Sequence, residues 1–297
     1  MRVRRYYPRW SATENDSQNR ENTAVPHHDP KQAHASAAAL ATSARGDALD
    51  PSATQRAREA AGTAAAQLVQ AGMVVGLGTG DTAAHAIRAL AARKLPGLRC
   101  VATSTRSAAL AAELGLALMQ LDELVPQVGA QSKTTPLSLP IDLTIDGADE
   151  IDPQLQLIKG AGGALLFEKL VAQRSQQLII IADPAKQVQV LGEKRLLPIE
   201  IVRFAAQHTL ARIAVLPGIR TAALRQGAQG IYITDGGNYI LDVQLQPGVP
   251  AQPLHNLLKS LTGVIETGLF CTEASSALIG QGDGSVTQLC KAAAAHS

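Results

Sequence analysis

Cysteine is scarce: Cys100, Cys271 and Cys290 are the only three in 297 residues. Thiols so few and so scattered exclude a disulfide framework and a zinc knuckle, and they suit a reducing compartment, so the expected location is cytoplasmic. An excess of one charge is also missing. Lys+Arg 27 against Asp+Glu 25 leaves +2, no field of the kind that draws nucleic acid or an anionic membrane, so neither is an expected partner. Although 46% of the residues are hydrophobic, a run such as Leu178–Ala182 is far shorter than the roughly 20 residues of a membrane helix. No apolar stretch of roughly 7–15 residues follows Arg2, Arg4, Arg5 and Arg9, so a secretory signal is not expected. The length permits one large or two modest domains at roughly 150 residues each, with ample material for a core.

Residues 1–51 read as a disordered extension: Ser, Asn, Asp, Gln, His and Pro follow the arginines without apolar periodicity. Acidic residues Glu14, Asp16, Glu21 and Asp29 argue against an organelle transit peptide. From Ser52, taken as an N-cap, the pattern alternates. Helices are predicted over 52–70, 82–93, 106–114 and 165–173, and strands over 73–77, 98–102, 117–121, 141–146 and 177–182. Such alternation means βαβ units: an α/β protein with a mainly parallel sheet flanked by helices, Rossmann-like in outline. The Gln-, Ser-, Thr- and Pro-rich stretch 124–140 reads as a surface loop.

After Pro198 the rhythm changes. Strands are predicted over 199–202, 230–234, 239–244 and 264–270, helices over 205–214 and 254–261, with an Asp235-Gly236-Gly237 turn between the middle strands. That order predicts a second, smaller α+β domain over 196–271, with 52–195 as the α/β catalytic domain and 272–297 returning to it.

Four stretches carry polar chemistry at the ends of predicted strands. Gly76-Leu77-Gly78-Thr79-Gly80-Asp81-Thr82 offers helix-start amides and hydroxyls to a phosphate, although a tight turn with Asp81 as N-cap explains it equally. It fails both the dinucleotide and the Walker A patterns. Asp146-Gly147-Ala148-Asp149-Glu150 ends an apolar strand, where open α/β sheets bind ligands; a capped turn, or a magnesium site with Asp152, fits as well. Lys159-Gly160-Ala161-Gly162-Gly163-Ala164 leads to Glu168-Lys169, an amide-rich loop beside a lysine suited to an anionic oxygen. Glu168 is otherwise a solvated helix residue. Asp183-Pro184-Ala185-Lys186 adds a charge pair at a further strand end.

In this order and spacing the four stretches resemble ribose-5-phosphate isomerase of the A type, together with Leu197-Pro198-Ile199-Glu200, Thr234-Asp235-Gly236-Gly237-Asn238 and the run from Gly263 to Phe270. The resemblance spans nearly everything from Ala53 to Leu289. It implies an aldose–ketose isomerase interconverting D-ribose 5-phosphate and D-ribulose 5-phosphate in the non-oxidative pentose phosphate pathway, without metal or organic cofactor. It implies Glu168 as the proton acceptor, Lys159 as the cation that stabilises an enediolate, and Asp146 and Asp149 as contacts to the sugar hydroxyls that assist ring opening. Thr79, Gly80, Asp81, Thr82, Gly147, Ala148, Gly160, Ala161, Gly162, Lys186 and Arg58 are implied substrate contacts, and the assembly is implied to be a homodimer or higher homo-oligomer.

Three residues depart from that family's pattern. Asp81 stands where a serine is usual in the phosphate loop, so it is expected to turn outward as an N-cap or to weaken binding. Arg58 replaces an expected lysine. Ala161 replaces a glycine, harmless where φ is negative. Two other classes share related folds, a non-catalytic sugar-phosphate sensor and an acyl-CoA transferase with a covalent glutamate. Against a transcriptional sensor, no helix-turn-helix pattern is visible.

Overall fold

The computed structural model describes residues 50–124 and 141–291. The readings of 1–49 as an extension and of 125–140 as a loop lie outside the described residues. Helix α1 (Pro51–Gln67) starts one residue earlier than expected, and Ser52 is not its cap. Pro51 takes the first helical position, where a missing N–H breaks no helical bond. The buried face of α1 is Ala57, Ala61, Gly62, Ala65 and Ala66; side chains this small let it pack closely on the next helix.

Strand β1 (Val74–Leu77), helix α2 (Asp81–Ala92), strand β2 (Arg99–Ala102) and helix α3 (Thr105–Glu113) follow the predicted alternation. The strand predicted over 117–121 does not form. Leu118 makes a single parallel bridge to Cys100, and the chain then turns into a short 3₁₀ helix, Leu121–Leu124. Strand β3 (Leu143–Gly147) leads to two short strands the periodicity did not reveal, β4 (Glu150–Ile151) and β5 (Leu157–Ile158), then helix α4 (Leu165–Gln173) and strand β6 (Leu178–Ala182). β1 and β6 are buried at every residue. Strands covered on both faces read as continuous apolar runs, which is why they are legible in sequence.

The later half contains β7 (Leu197–Ile201), α5 (Ala206–Ala214), β8 (Ile219–Leu224), β9 (Gln226–Gly227), β10 (Gly230–Ile231), β11 (Tyr239–Leu245), α6 (Ala251–Lys259), β12 (Val264–Thr267), β13 (Leu269–Phe270), β14 (Ser276–Gly280) and β15 (Val286–Cys290). Here two-residue strands defeat periodicity. β8 and β9 were not anticipated, and the strand predicted over 230–234 keeps two residues. The strand predicted over 264–270 breaks at Gly268, its halves joining different sheets.

Six strands form the main sheet in the order β15-β14-β6-β3-β1-β2, parallel throughout except for β15. The chain leaves β1 toward β2 on one side and returns to β3 on the other, so the order reverses between β1 and β3. That is where open α/β sheets leave a crevice beyond the carboxyl ends of the strands. A separate antiparallel sheet, β12-β7-β11-β8, has its own core of Ile199, Ile201, Leu241, Val243, Ile213 and Leu258. A small sheet, β13-β5-β4, brings Lys159 to the crevice. We propose the domain division 52–195 with 272–297, and 196–271, on this arrangement of sheets.

Candidate active site

The crevice is a cavity of about 220 Å³ lined by residues from every strand end that the sequence singled out. Thr79, Gly80, Asp81 and Thr82 enter from the β1–α2 turn, Gly147, Ala148 and Asp149 from beyond β3, and Lys159, Gly160, Ala161 and Gly162 from the loop before α4. Glu168 reaches it from the first turn of α4, Lys186 from the short helix after β6, and Arg58 from α1.

Asp146, implied as a substrate contact, is the exception. It is 1% exposed and does not line the cavity. Its Oδ1 accepts hydrogen bonds from the N–H groups of Thr79 (3.0 Å) and Gly147 (2.7 Å). A Cβ on Gly78 would meet Asp146 Oδ1 at 2.1 Å, so the glycine is required by the carboxylate beneath it. Asp146 Oδ2 lies 3.0 Å from Lys159 Nζ, which also donates to the Gly147 carbonyl (2.6 Å).

Lys159 Nζ is 3.2 Å from Glu168 Oε2, so one buried ammonium stands between two buried carboxylates. Burial opposes its charge, but Asp146 and Glu168 outweigh that and hold its pKa above the ordinary lysine value. The carboxylates respond the other way. Burial, then repulsion from Asp146, pushes Glu168 up to about 8 despite Lys159, and burial likewise raises Asp146. Despite its closeness to Lys159, Glu168 Oε2 lacks hydrogen-bond geometry and is one of two buried side-chain polar atoms without such a partner among the described residues. A carboxyl group so placed can exchange a proton with a group in the cavity.

The loop that faces Glu168 is fixed from two sides. Ala161 N–H donates to Asp149 Oδ2 (2.8 Å). Arg225, beyond β8, donates to the carbonyls of Gly160 (2.9 Å) and Ala161 (3.0 Å) while its other edge clasps Asp242. Tyr232 Oη donates to the Gly162 carbonyl (3.3 Å), and a Cβ on Gly163 would strike that hydroxyl. The positive φ angles fall on Gly160 (+103°) and Gly163 (+81°), and Ala161 needs none. Its replacement of glycine is therefore harmless.

Two further departures resolve in the structure. Asp81 is the first residue of α2 and not its cap, which is Gly80, so the expected N-cap role is corrected. Its carboxylate instead pairs with Arg106 Nη2 at 2.7 Å. Arg58 Nε pairs with buried Asp183 at 3.0 Å, leaving the rest of the guanidinium toward the cavity. Lys186 forms no ion pair among the described residues; burial lowers its pKa against the pull of Asp149. Asp152, weighed earlier as a metal ligand, caps its own turn by accepting from Gln154 and Gln156 N–H.

Sequence reasoning missed Arg106, Arg225 and Tyr232. Arg106 was findable, because Thr103-Ser104-Thr105-Arg106 follows a predicted strand as the other motifs do. Arg225 and Tyr232 carried no local signal.

A parallel sheet whose switch point gathers a buried carboxylate–ammonium cluster, free helix-start amides and cationic side chains defines an enzyme for proton transfer on a small anionic substrate. Residues 99–284 match the family model of ribose 5-phosphate isomerase A (phosphoriboisomerase A). The chain is 50% identical over 230 residues to ribose-5-phosphate isomerase A of Caulobacter sp. (strain K31), covering 76% of this chain and 94% of that protein. Identity to the Deinococcus radiodurans protein of the same name is 46%, with 73% and 90% covered. Among solved structures, a D-ribose-5-phosphate isomerase in complex with phospho-erythronic acid superposes with a TM-score of 0.71 at 32% identity, covering 80% of this chain and 99% of that one. Ribose 5-phosphate isomerase A from Methanocaldococcus jannaschii gives 0.70 at 33%, with 79% and 98% covered. The chain belongs to the ribose 5-phosphate isomerase A family, and its activity is the isomerisation of ribose 5-phosphate.

Proposed function

We propose that the isomerisation runs through an enediolate, with Glu168 as the base that carries a proton between C2 and C1. The aldose must lose its C2 proton while charge moves onto O1; the O2 hydroxyl proton passes to O1, and the same C2 proton or one from water reaches C1 as the C2 carbonyl forms. One carboxylate beside both carbons suffices. Glu168 Oε2 is buried, without a hydrogen-bond partner, and at the cavity; this single observation carries the reading. Its raised pKa makes it a far stronger base than a solvated carboxylate.

Lys159, held by Asp146, supplies the positive charge for the developing oxyanion at O1. Asp149, half-buried on the cavity wall and bonded by one oxygen to Ala161 N–H, keeps its other oxygen to take the anomeric hydroxyl proton and return it to the ring oxygen as the C1–O4 bond breaks during ring opening. Asp146 acts through Lys159 as a positioning residue. The phosphate lies against the amides of Gly80 to Thr82, with Lys186 and Arg58 beside it; the phospho-erythronic acid ligand of the relative supports a sugar-phosphate site. A place in the non-oxidative pentose phosphate pathway, a cytoplasmic location and a homo-oligomeric assembly complete the proposal.

Glu168→Gln keeps the side chain's size and removes its basicity. The expected result is a fall in kcat of about 10²–10⁴-fold, the usual cost of losing a general base, with substrate affinity little changed. In D₂O the wild type should place label at C1 or C2 of recovered substrate, and the variant none. More than about a tenth of wild-type kcat in Glu168→Gln, above the range for a lost general base, overturns the assignment.

A further inference from the structure

We propose that Arg106 determines specificity in the phosphate subsite, as the counter-cation that lets this chain carry a carboxylate in the loop meeting the substrate's phosphate. The inference rests on the placement of the phosphate at the β1–α2 turn argued above. Asp81 and Arg106 both line the cavity, 2.7 Å apart, with side chains 67% exposed at its rim. An exposed pair of this kind adds little to folding stability. Its consequence is electrostatic and local: a phosphate dianion at Gly80 to Thr82 would lie beside the Asp81 charge.

The charges of this rim show how much rests on Arg106. Arg58 is matched by Asp183, and Lys186 is unpaired among the described residues. With Arg106 present, the phosphate end holds three cations against the two carboxylates Asp81 and Asp183; without it, they balance. A phosphate would then meet no net positive charge apart from the helix-start amides.

Arg106 is also held in place. Ser104 caps α3 through a reciprocal bond with Ser107 and accepts from Thr79 Oγ1 (2.7 Å), tying the start of α3 to the phosphate loop itself. Thr105, next to Arg106, donates its N–H (2.8 Å) and hydroxyl (3.2 Å) to Asp235, which projects from the turn before β11. The antiparallel sheet thus fixes the backbone from which Arg106 reaches Asp81. An arginine anchored so close to the phosphate loop is built to act there.

The test uses the full chain and three variants, Arg106→Ala, Asp81→Ser and both together. KM and kcat for ribose 5-phosphate and the competitive inhibition constant of inorganic phosphate are measured at low and high ionic strength. Arg106→Ala is expected to raise KM and the phosphate inhibition constant about 3–10-fold at low salt, an effect that should shrink above 0.1 M, where the screening length falls to about 10 Å. Asp81→Ser, which removes the carboxylate that Arg106 offsets, should lower both constants. In the Asp81→Ser background, removing Arg106 should cost less than half the factor it costs alone. The inference is overturned if Arg106→Ala leaves both constants unmoved at low salt, if the change is insensitive to salt, or if the factor is the same in both backgrounds. If inorganic phosphate does not compete with substrate in the wild type, the phosphate placement fails and the inference with it, whereas the Glu168 assignment is read separately from label exchange.

Discussion

At Glu168, the proposed base, the burial that opposes folding is the same burial that raises the pKa. Burial holds its proton up to about pH 8, against an ordinary glutamate value near 4.3 in the unfolded chain. Between those values the native state binds a proton that the unfolded state has released, so this group's contribution to stability is full below the lower value and is lost as pH rises through the upper one. Glu168→Gln has no proton to lose. The variant is therefore expected to be at least as stable as the wild type at pH 5 and to gain on it up to about pH 8, levelling off above that, as measured by urea denaturation from pH 5 to 9. A wild type that gains on the variant as pH rises would contradict the buried, raised carboxylate. Lys159 is the opposite case, since removing it strands Asp146 and Glu168 without a cation. Lys159→Ala should lose about 3–5 kcal/mol, the cost of breaking a buried charge pair, as well as activity. These residue types and their order were legible in sequence, because carboxylates, glycines and lysines cluster at apolar strand ends. Which oxygen faces the cavity was not, and Asp146 turned inward where a substrate contact was expected.

At the scale of elements, the 159–163 loop is where precision is set. Its carbonyls are turned toward Arg225 and Tyr232 of the later half, and only glycine fits the positive φ at Gly160 and Gly163. Arg225→Ala should let the loop rotate and lower kcat by up to about 10²-fold, the scale of a 1 Å misplacement, with a smaller change in KM. Stopped-flow or steady-state rates beside a melting curve check this; a variant that melts early but keeps kcat would make Arg225 a structural brace alone. Helices and buried parallel strands were readable because their periodicity runs over several residues. β4, β9, β10 and β13 are two residues long, below any period, and exist because partners pair with them.

Over the whole molecule, the site draws on residues from Arg58 to Lys186. The relatives are matched over 94% of their length by about three-quarters of this chain. A chain beginning at Asp50, the residue before α1, is therefore expected to keep kcat within about twofold and its melting temperature within about 2 °C, no more than the roughly 2–4 °C that 1 kcal/mol shifts a chain of this size. A large loss of either would show that residues before Asp50 support the site.

By itself the sequence determined the α/β rhythm and the four strand-end motifs, among them the one that carries Glu168, the proposed base, since each depends on neighbours within a few positions. Tertiary structure alone decided the pairings. Asp81 meets Arg106 across 25 positions, Gly160 meets Arg225 across 65, and Lys169 meets Glu266 across 97. Such contacts depend on which strand ends the crossovers bring together, and a parallel sheet sets that by strand order, which no local pattern encodes.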